Sequence, residues 1–281
     1  MSKKRKTIGP FERKIALAFY FFWDRQRRKA RKEEIKKWID LGYIDEEEAK
    51  KMEEDYLKLT KNFLLPMYIL FGDEIDEELK AGGEIDPEFR KEFYKKMVED
   101  RAKYFSESQK NSFKWILSNL DLASDPLYAE MIKEAYGLNE QQIRSLFRYN
   151  KALKDGNTST GVRLKKIKKY TKEQRKARSS MVGVSESSQG YSKIFTDTMN
   201  RLIERYNWQG VRKKWLTADD PRVCEHCRAV SNMEIGYNEL FPIFGGIIGP
   251  EESHARCRCA LEIIFPEDED ATKTPTKHEI I

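Results

Sequence analysis

Cys224-Glu225-His226-Cys227 and His254-Ala255-Arg256-Cys257-Arg258-Cys259 are the segments of this chain best equipped for chemistry, and that chemistry is metal binding. Thiolate and imidazole bind zinc at about 2.0–2.3 Å in a tetrahedron. Two cysteines two residues apart can aim both sulfurs at one ion across a turn, and 26 residues lie between Cys227 and His254, enough for the chain to return and close the shell. Zinc fits because it accepts sulfur and nitrogen together and demands no redox chemistry. The second segment offers three donors for two places. The first choice is Cys224, Cys227, His254 and Cys257. The rival pairs Cys257 with Cys259, which share a face if Arg256–Phe265 is a strand. His226 reads as a solvent-facing or outer residue, and His278 as an inert residue of the tail.

Other uses of these cysteines are weaker. All four lie within 36 of 281 positions, which argues against unrelated buried thiols. Disulfides belong to oxidising compartments. Met1-Ser2-Lys3-Lys4-Arg5-Lys6 is basic like a signal peptide, but Glu12, Arg13 and Lys14 interrupt the apolar stretch after it and no small-residue cleavage site appears. The expectation is a reducing compartment. No βαβ pattern surrounds Cys224 and Cys227 to make them a redox dithiol. A catalytic zinc keeps one position open, and no catalytic set stands out beyond the ligands themselves. The chain therefore reads as a non-enzyme with no small-molecule substrate and a structural Zn²⁺, which couples about 10–16 kcal/mol of binding energy to folding.

The framework that must carry this cluster is mostly helical. Of 281 residues, 39% are hydrophobic and 36% charged, and the mean hydropathy is −0.76. The aromatic share of 12% argues against wholesale disorder. The longest apolar runs, Ile15–Trp23 and Phe63–Phe71, are nine residues each, short of the ~20 a membrane span needs. Phe11, Ile15, Ala18 and Phe22 mark a helix stripe, with Pro10 suiting its start. A second helix begins near Asp45 and bends at Pro66; a third begins near Asp86-Pro87. Asn139-Glu140-Gln141-Gln142 resembles a capping box. Residues 155–161 read as a linker, Ser179–Gly190 is rich in Ser and Gly, and a last helix runs from Tyr191 to Tyr206. After Trp208 Gly and Pro become frequent. The expected class is α+β, mostly α: a long helical region over 1–160, a small zinc-stapled module with short strands over 161–265, and an acidic, poorly ordered tail over 266–281.

Charge is uneven. Residues 1–37 hold fourteen Lys/Arg against four Asp/Glu, and residues 161–178 hold nine against Glu173 alone. On a helix, Leu164, Ile167 and Tyr170 fall on one side and lysines around the rest. Lys165, Lys166, Lys168, Lys169, Lys172 and Arg175 are the candidate contacts to nucleic-acid phosphate. No base-reading motif is present, so such contacts would be nonspecific. The commoner alternative is a solvated helix face. The consecutive aromatics Phe19–Trp23 suit burial, either in the chain's own core or against another chain.

The segment Lys213-Lys214-Trp215-Leu216-Thr217-Ala218-Asp219-Asp220-Pro221-Arg222-Val223-Cys224-Glu225-His226-Cys227 resembles the signature of tailed-phage minor head proteins, the phage head morphogenesis or Mu F-like family, and His254–Cys259 resembles its closing motif. Ser185-Glu186 and Asn207-Trp208-Gln209-Gly210 sit where the family carries a Thr-Glu and an Asn/Gly pair. The likeness spans residues 175–262. Ser231-Asn232-Met233 and Glu251-Glu252-Ser253 depart from the Asp-Gly-Lys and paired prolines common there. The resemblance implies a virion component at the portal vertex, inside the capsid and in the host cytoplasm during assembly. Its partners would be the portal or major capsid protein and packaged double-stranded DNA. A metal-dependent His-Cys nuclease and a zinc-containing nucleic-acid-binding module are the alternatives.

Overall fold

In the computed structural model, residues 3–79, 85–119, 124–217, 223–254 and 257–266 are described. Seven helices come first: α1 (Lys3–Lys29), α2 (Lys32–Leu41), α3 (Glu46–Glu78), α4 (Pro87–Leu117), α5 (Tyr128–Glu134), α6 (Glu140–Asp155) and α7 (Thr160–Tyr206). Then come β1 (Arg212–Leu216), the short α8 (Glu225–Ala229), β2 (Glu234–Gly236) and β3 (Ala260–Ile264). The class is α+β, mostly α. Among the described residues no helix is long and apolar enough to cross a membrane. The acidic segment after Pro266 lies outside the described residues.

The chain forms two compact units that interleave along the sequence. One comprises Met1–Lys14, Leu64–Lys95 and Gly183–Ile281; the other comprises Ile15–Phe63 and Lys96–Val182. The expected linker is a tight turn between α6 and α7, and both of its flanks lie in the second unit. Gly156 donates to the Ala152 carbonyl and Asn157 takes a positive φ of 55°, so the chain reverses within four residues.

The core of the second unit is aromatic. Trp38, Phe113 and Tyr136 are buried in sequence-distant contact, with ring centroids 5.7 and 4.9 Å apart. The α6 cap forms as its sequence implies: Gln142 N donates to Asn139 Oδ1 at 2.9 Å, and Asn139 N donates to Gln142 Oε1 at 3.1 Å. Most of the N-terminal aromatic run packs within the chain, since Phe19, Phe22 and Trp23 are buried; Phe21 is 59% exposed.

A buried charge network crosses this unit. Glu134, 1% exposed, accepts from Arg175 Nη2 at 2.9 Å, Thr171 Oγ1 at 2.8 Å and Arg27 Nη1 at 3.0 Å. Removing one partner of such a network strands a charge out of water, which costs about 3–5 kcal/mol. Glu134→Gln, close to isosteric, should therefore lower the stability of this unit by about that amount, read from denaturant midpoints. A shift within about 0.5 kcal/mol would mean that water reaches the guanidinium groups.

Pro66 lies inside α3, a helix that continues to Glu78. Two expectations about helix ends need correcting. Pro10 lies inside α1, which starts at Lys3. Ser179–Gly190 is helical and forms the middle of the 47-residue α7. Its small residues serve packing and do not break the helix. A Cβ at Gly190 would lie 2.6 Å from the ring of Tyr68, so only glycine lets these two helices of the first unit approach so closely. Ser185, Ser187, Ser188 and Ser192 are buried on the same stretch. The apolar pattern alone does not reveal α2, whose start is marked by Arg31 N donating to Glu34 at 3.1 Å and whose end is the left-handed Gly42, φ 75°.

In the first unit Phe71 of α3 packs edge-on against Phe11 of α1 and Tyr191 of α7, both at 5.4 Å. The sheet has the order β2-β1-β3 and is antiparallel throughout. Its register sets Lys213 opposite Ile263 and Trp215 opposite Leu261. Because side chains alternate along strands, these four share the covered face, and all four are buried.

Candidate metal centre

The centre is built from what flanks this sheet. The end of β1 holds the first cysteine pair in place: Trp215 N donates to the Met233 carbonyl at 3.0 Å, and Asn232 N donates to the Trp215 carbonyl at 2.8 Å. These bonds fix the turn that comes after α8. Cys224 is the N-cap of α8, extended at φ −70° and ψ 160°, and its sulfur accepts from Cys227 N at 3.4 Å. An N–H···S bond across Cys-x-x-Cys is what brings both sulfurs to one side of the turn. The second segment arrives through a 3-10 turn at Pro250–Glu252 and leaves into β3. Cys257 N donates to the His254 carbonyl at 3.2 Å.

Five side chains converge. Cys224 Sγ lies 3.1 Å and Cys227 Sγ 3.4 Å from His254 Nε2, and Cys227 Sγ lies 4.0 Å from Cys257 Sγ. Two triads result, Cys224–Cys227–His254 and Cys227–Cys257–Cys259, with donor atoms within 4.8 Å of one another in each and Cys227 in both. Cys227, Cys257 and Cys259 are buried, and all four cysteines are free thiols. This is a Cys/His cluster that could hold a metal ion. A tetrahedron with the ordinary zinc bond lengths has edges of about 3.8 Å between sulfurs and about 3.5 Å between sulfur and nitrogen. The observed separations fall close to both.

The sulfurs titrate as a group. Hydrogen bonds from Cys227 and Cys259 hold the Cys257 thiol well below its usual range, with Ser253 adding to the effect. Donating those bonds, together with burial, pushes Cys227 and Cys259 upward. A divalent cation entering such a cluster displaces the thiol protons.

His226 is exposed; its ring centroid lies 4.9 Å from that of Phe244 with the planes tilted, and Phe244 also stands 5.8 Å from His254. His278 lies outside the described residues, as do Asp219, Asp220, Pro221 and Arg222 of the segment that resembles the phage signature. Two residues beside the centre are not singled out by their sequence as parts of it. Lys213 and Trp215 are wholly buried on β1, and the Nζ of Lys213 sits 5.6 and 5.5 Å from the ring centroids of Tyr237 and Phe241. The alternation of Lys213-Lys214-Trp215 in a strand is the signal that could have found them.

The proposed phosphate contacts divide. Lys165, Lys166, Lys168, Lys169 and Lys172 are exposed on α7. Arg175 is 2% exposed and bound to Glu134, so it is a core residue and leaves the set. It follows Ile167 and Thr171 at four-residue steps, which puts it on the inward stripe. Leu164, Ile167 and Tyr170 do face that core.

No family model, curated protein or solved structure matches this chain.

Proposed function

We propose that the Cys/His cluster is a structural zinc staple and that the chain is a minor head protein of a tailed phage, a structural component of the portal vertex and not an enzyme. The observation that carries the reading is the convergence of five soft donors from two distant segments, beside Lys213 and Trp215 of the same motif. Bound zinc would join the α8 turn to the start of β3 and so close a module whose sheet has only three short strands. More donors are at hand than a four-coordinate ion uses, which favours a closed structural shell over a catalytic one with an open position. Portal or major capsid protein is the partner this role implies, in the virion and in the host cytoplasm during assembly.

Metal analysis of the purified full-length chain should give one zinc per chain and four thiols on denaturation. Two disulfides and no metal would sink the staple. Proteomics of virions from a phage carrying this gene should find the chain in the capsid fraction, and its absence there would sink the head role. Plasmid cleavage in Mg²⁺ or Mn²⁺ that is lost in His254→Ala would favour the nuclease instead.

Nonspecific contact with packaged DNA belongs to the same reading. Lys165, Lys169, Lys172 and Lys176 form a file along α7, about 16 Å long at 1.5 Å per residue. Among the described residues, carboxylates pair with Lys168 and Lys176 of this helix face, through Glu130 at 3.9 Å and Glu173 at 3.6 Å, but with none of Lys165, Lys169 and Lys172. Binding of duplex DNA, followed by fluorescence anisotropy, should weaken with salt at a slope near −0.9 per phosphate neutralised. Reversing Lys165, Lys169 and Lys172 to Glu should flatten that slope by about three such contacts. An unchanged slope would remove this face from the DNA site.

A further inference from the structure

We propose that a pocket in the second unit binds a primary ammonium group, held by the carboxylates of Asp55 and Glu48 and by the hydroxyl of Tyr136. The inference does not depend on the zinc-staple reading.

The pocket lies where α1, α3, α4 and the turn between α5 and α6 meet. Glu48, Met52, Asp55 and Tyr56 follow one another on α3 at spacings that share one helix face. Phe22 and Gln26 of α1, one turn apart, form a second wall. The cavity is about 10 Å³, room for one water-sized group, and is partly open to solvent.

Tyr136 is built into this place with its hydroxyl unused. One side chain clasps the turn that carries it: Gln109 Nε2 donates to the Ala135 carbonyl at 3.4 Å, and Gln109 Oε1 accepts from Gly137 N at 2.8 Å. Gly137 has a positive φ of 78°, and a Cβ there would lie 2.6 Å from the Trp23 ring, so the turn is also pressed against α1. The Tyr136 ring packs edge-on against Phe113 at 4.9 Å. The residue is 7% exposed, yet among the described residues its hydroxyl has no hydrogen-bond partner. Burial, and after it the nearby charges with Glu48 foremost, push this phenol far above its usual range, so it keeps its proton beside carboxylates. A buried hydroxyl left unsatisfied is costly, and a ligand in the pocket is what would satisfy it.

The surplus around the pocket is of acceptors. Asp55 takes a bond from Gln26 Nε2 at 2.8 Å, and among the described residues no Lys or Arg pairs with it. Glu48 pairs with Lys51, 60% exposed and 3.4 Å away, a surface contact worth little. Arg178, whose charge reaches Tyr56, is turned to Ser108 Oγ at 3.0 Å and to the Trp23 ring at 5.0 Å. Two carboxylates and a phenol oxygen match the three N–H donors of an alkylammonium head. The rings of Phe22, Tyr56 and Tyr136 line the same pocket and attract a cation through their faces. A divalent metal would need about six oxygens, which walls of Phe22 and Met52 do not supply.

Calorimetric titration of the full-length chain with putrescine and with Nα-acetyl-lysine N-methylamide tests the site. Saturable binding, one per chain, is expected, while tetramethylammonium, which has the charge but no N–H donor, should not bind. Tyr136→Phe removes a hydroxyl that the fold does not use, so it should keep the denaturant midpoint yet bind about 10-fold more weakly. Asp55→Asn should bind about 10–100-fold more weakly. Tighter binding of the lysine analogue makes a protein's lysine the source of the ammonium, and tighter binding of putrescine a free polyamine; either supports the site. No saturable binding of either amine, equal binding of tetramethylammonium, or unchanged affinity in Tyr136→Phe and Asp55→Asn would overturn it.

Discussion

Cys227→Ala, or removal of the ion by a chelator, should leave the three strands without protection from hydrogen exchange. Cys227 belongs to both donor triads and is 1% exposed, so its loss removes the sulfur that the two triads share. A structural zinc couples about 10–16 kcal/mol to folding. Whole domains are stable by only about 5–15 kcal/mol, so a module of five-, three- and five-residue strands has nothing to offset that loss. The helical circular dichroism should fall little, because the module's only described α-helix is the five-residue α8. Exchange of the β1 and β3 amides, measured with and without chelator, is the check. Amides that stay protected after metal removal would mean that packing around Trp215 and Phe241, whose rings meet at 5.0 Å, holds the sheet alone.

Lys213→Met should stabilise the same unit, by about 3 kcal/mol at pH 7. Lys213 is wholly buried and, among the described residues, its Nζ has no hydrogen-bond partner. Burial pushes its pKa down from 10.5 to about 8, against the upward pull of Glu251, Glu252 and Glu239. The sign comes from proton counts. Below pH 8 the amine is charged in both states, and the folded chain bears the full cost of burying it. Between pH 8 and 10.5 the unfolded chain holds the proton and the folded chain does not, so stability rises with pH. Above 10.5 both are neutral and the cost is gone. Met fills the same space with no charge, so its advantage over Lys should be largest at pH 7 and vanish by about pH 10.5. Denaturant midpoints of the two proteins across this range give the difference directly, cancelling the other groups that titrate there. An advantage that does not change with pH would show that the amine is already neutral, or solvated, at pH 7. The aromatic rings of Tyr237 and Phe241 recover part of the cost of the charge through their faces.

Local order in the sequence translated well where a single residue's chemistry decides it. The Asn139–Gln142 cap formed because side chain and backbone satisfy each other within one turn. Leu164, Ile167 and Tyr170 turned inward because a helix has one apolar face to bury. The punctuation residues misled. Pro10 and the Ser/Gly stretch before Tyr191 are both absorbed into long helices. Gly190 is the plainest case: the Tyr68 ring occupies the space a side chain would need. Arg175 shows the same limit for charge. It lies among exposed lysines in the sequence, and only the approach of Glu134, 41 residues away, makes it a core residue.

That four cysteines and a histidine meet was legible in the linear order of residues, because metal-binding donors are confined to two short segments. So was the dominance of helix over most of the chain. The interleaving of two units, the pairing of Trp215 with Leu261 and the burial of Lys213 beside the rings of Tyr237 and Phe241 emerged only on folding. Ligand type and spacing are local properties of the chain. Register and burial depend on which strands pair and on what covers the sheet, and those are set by contacts between residues far apart in sequence.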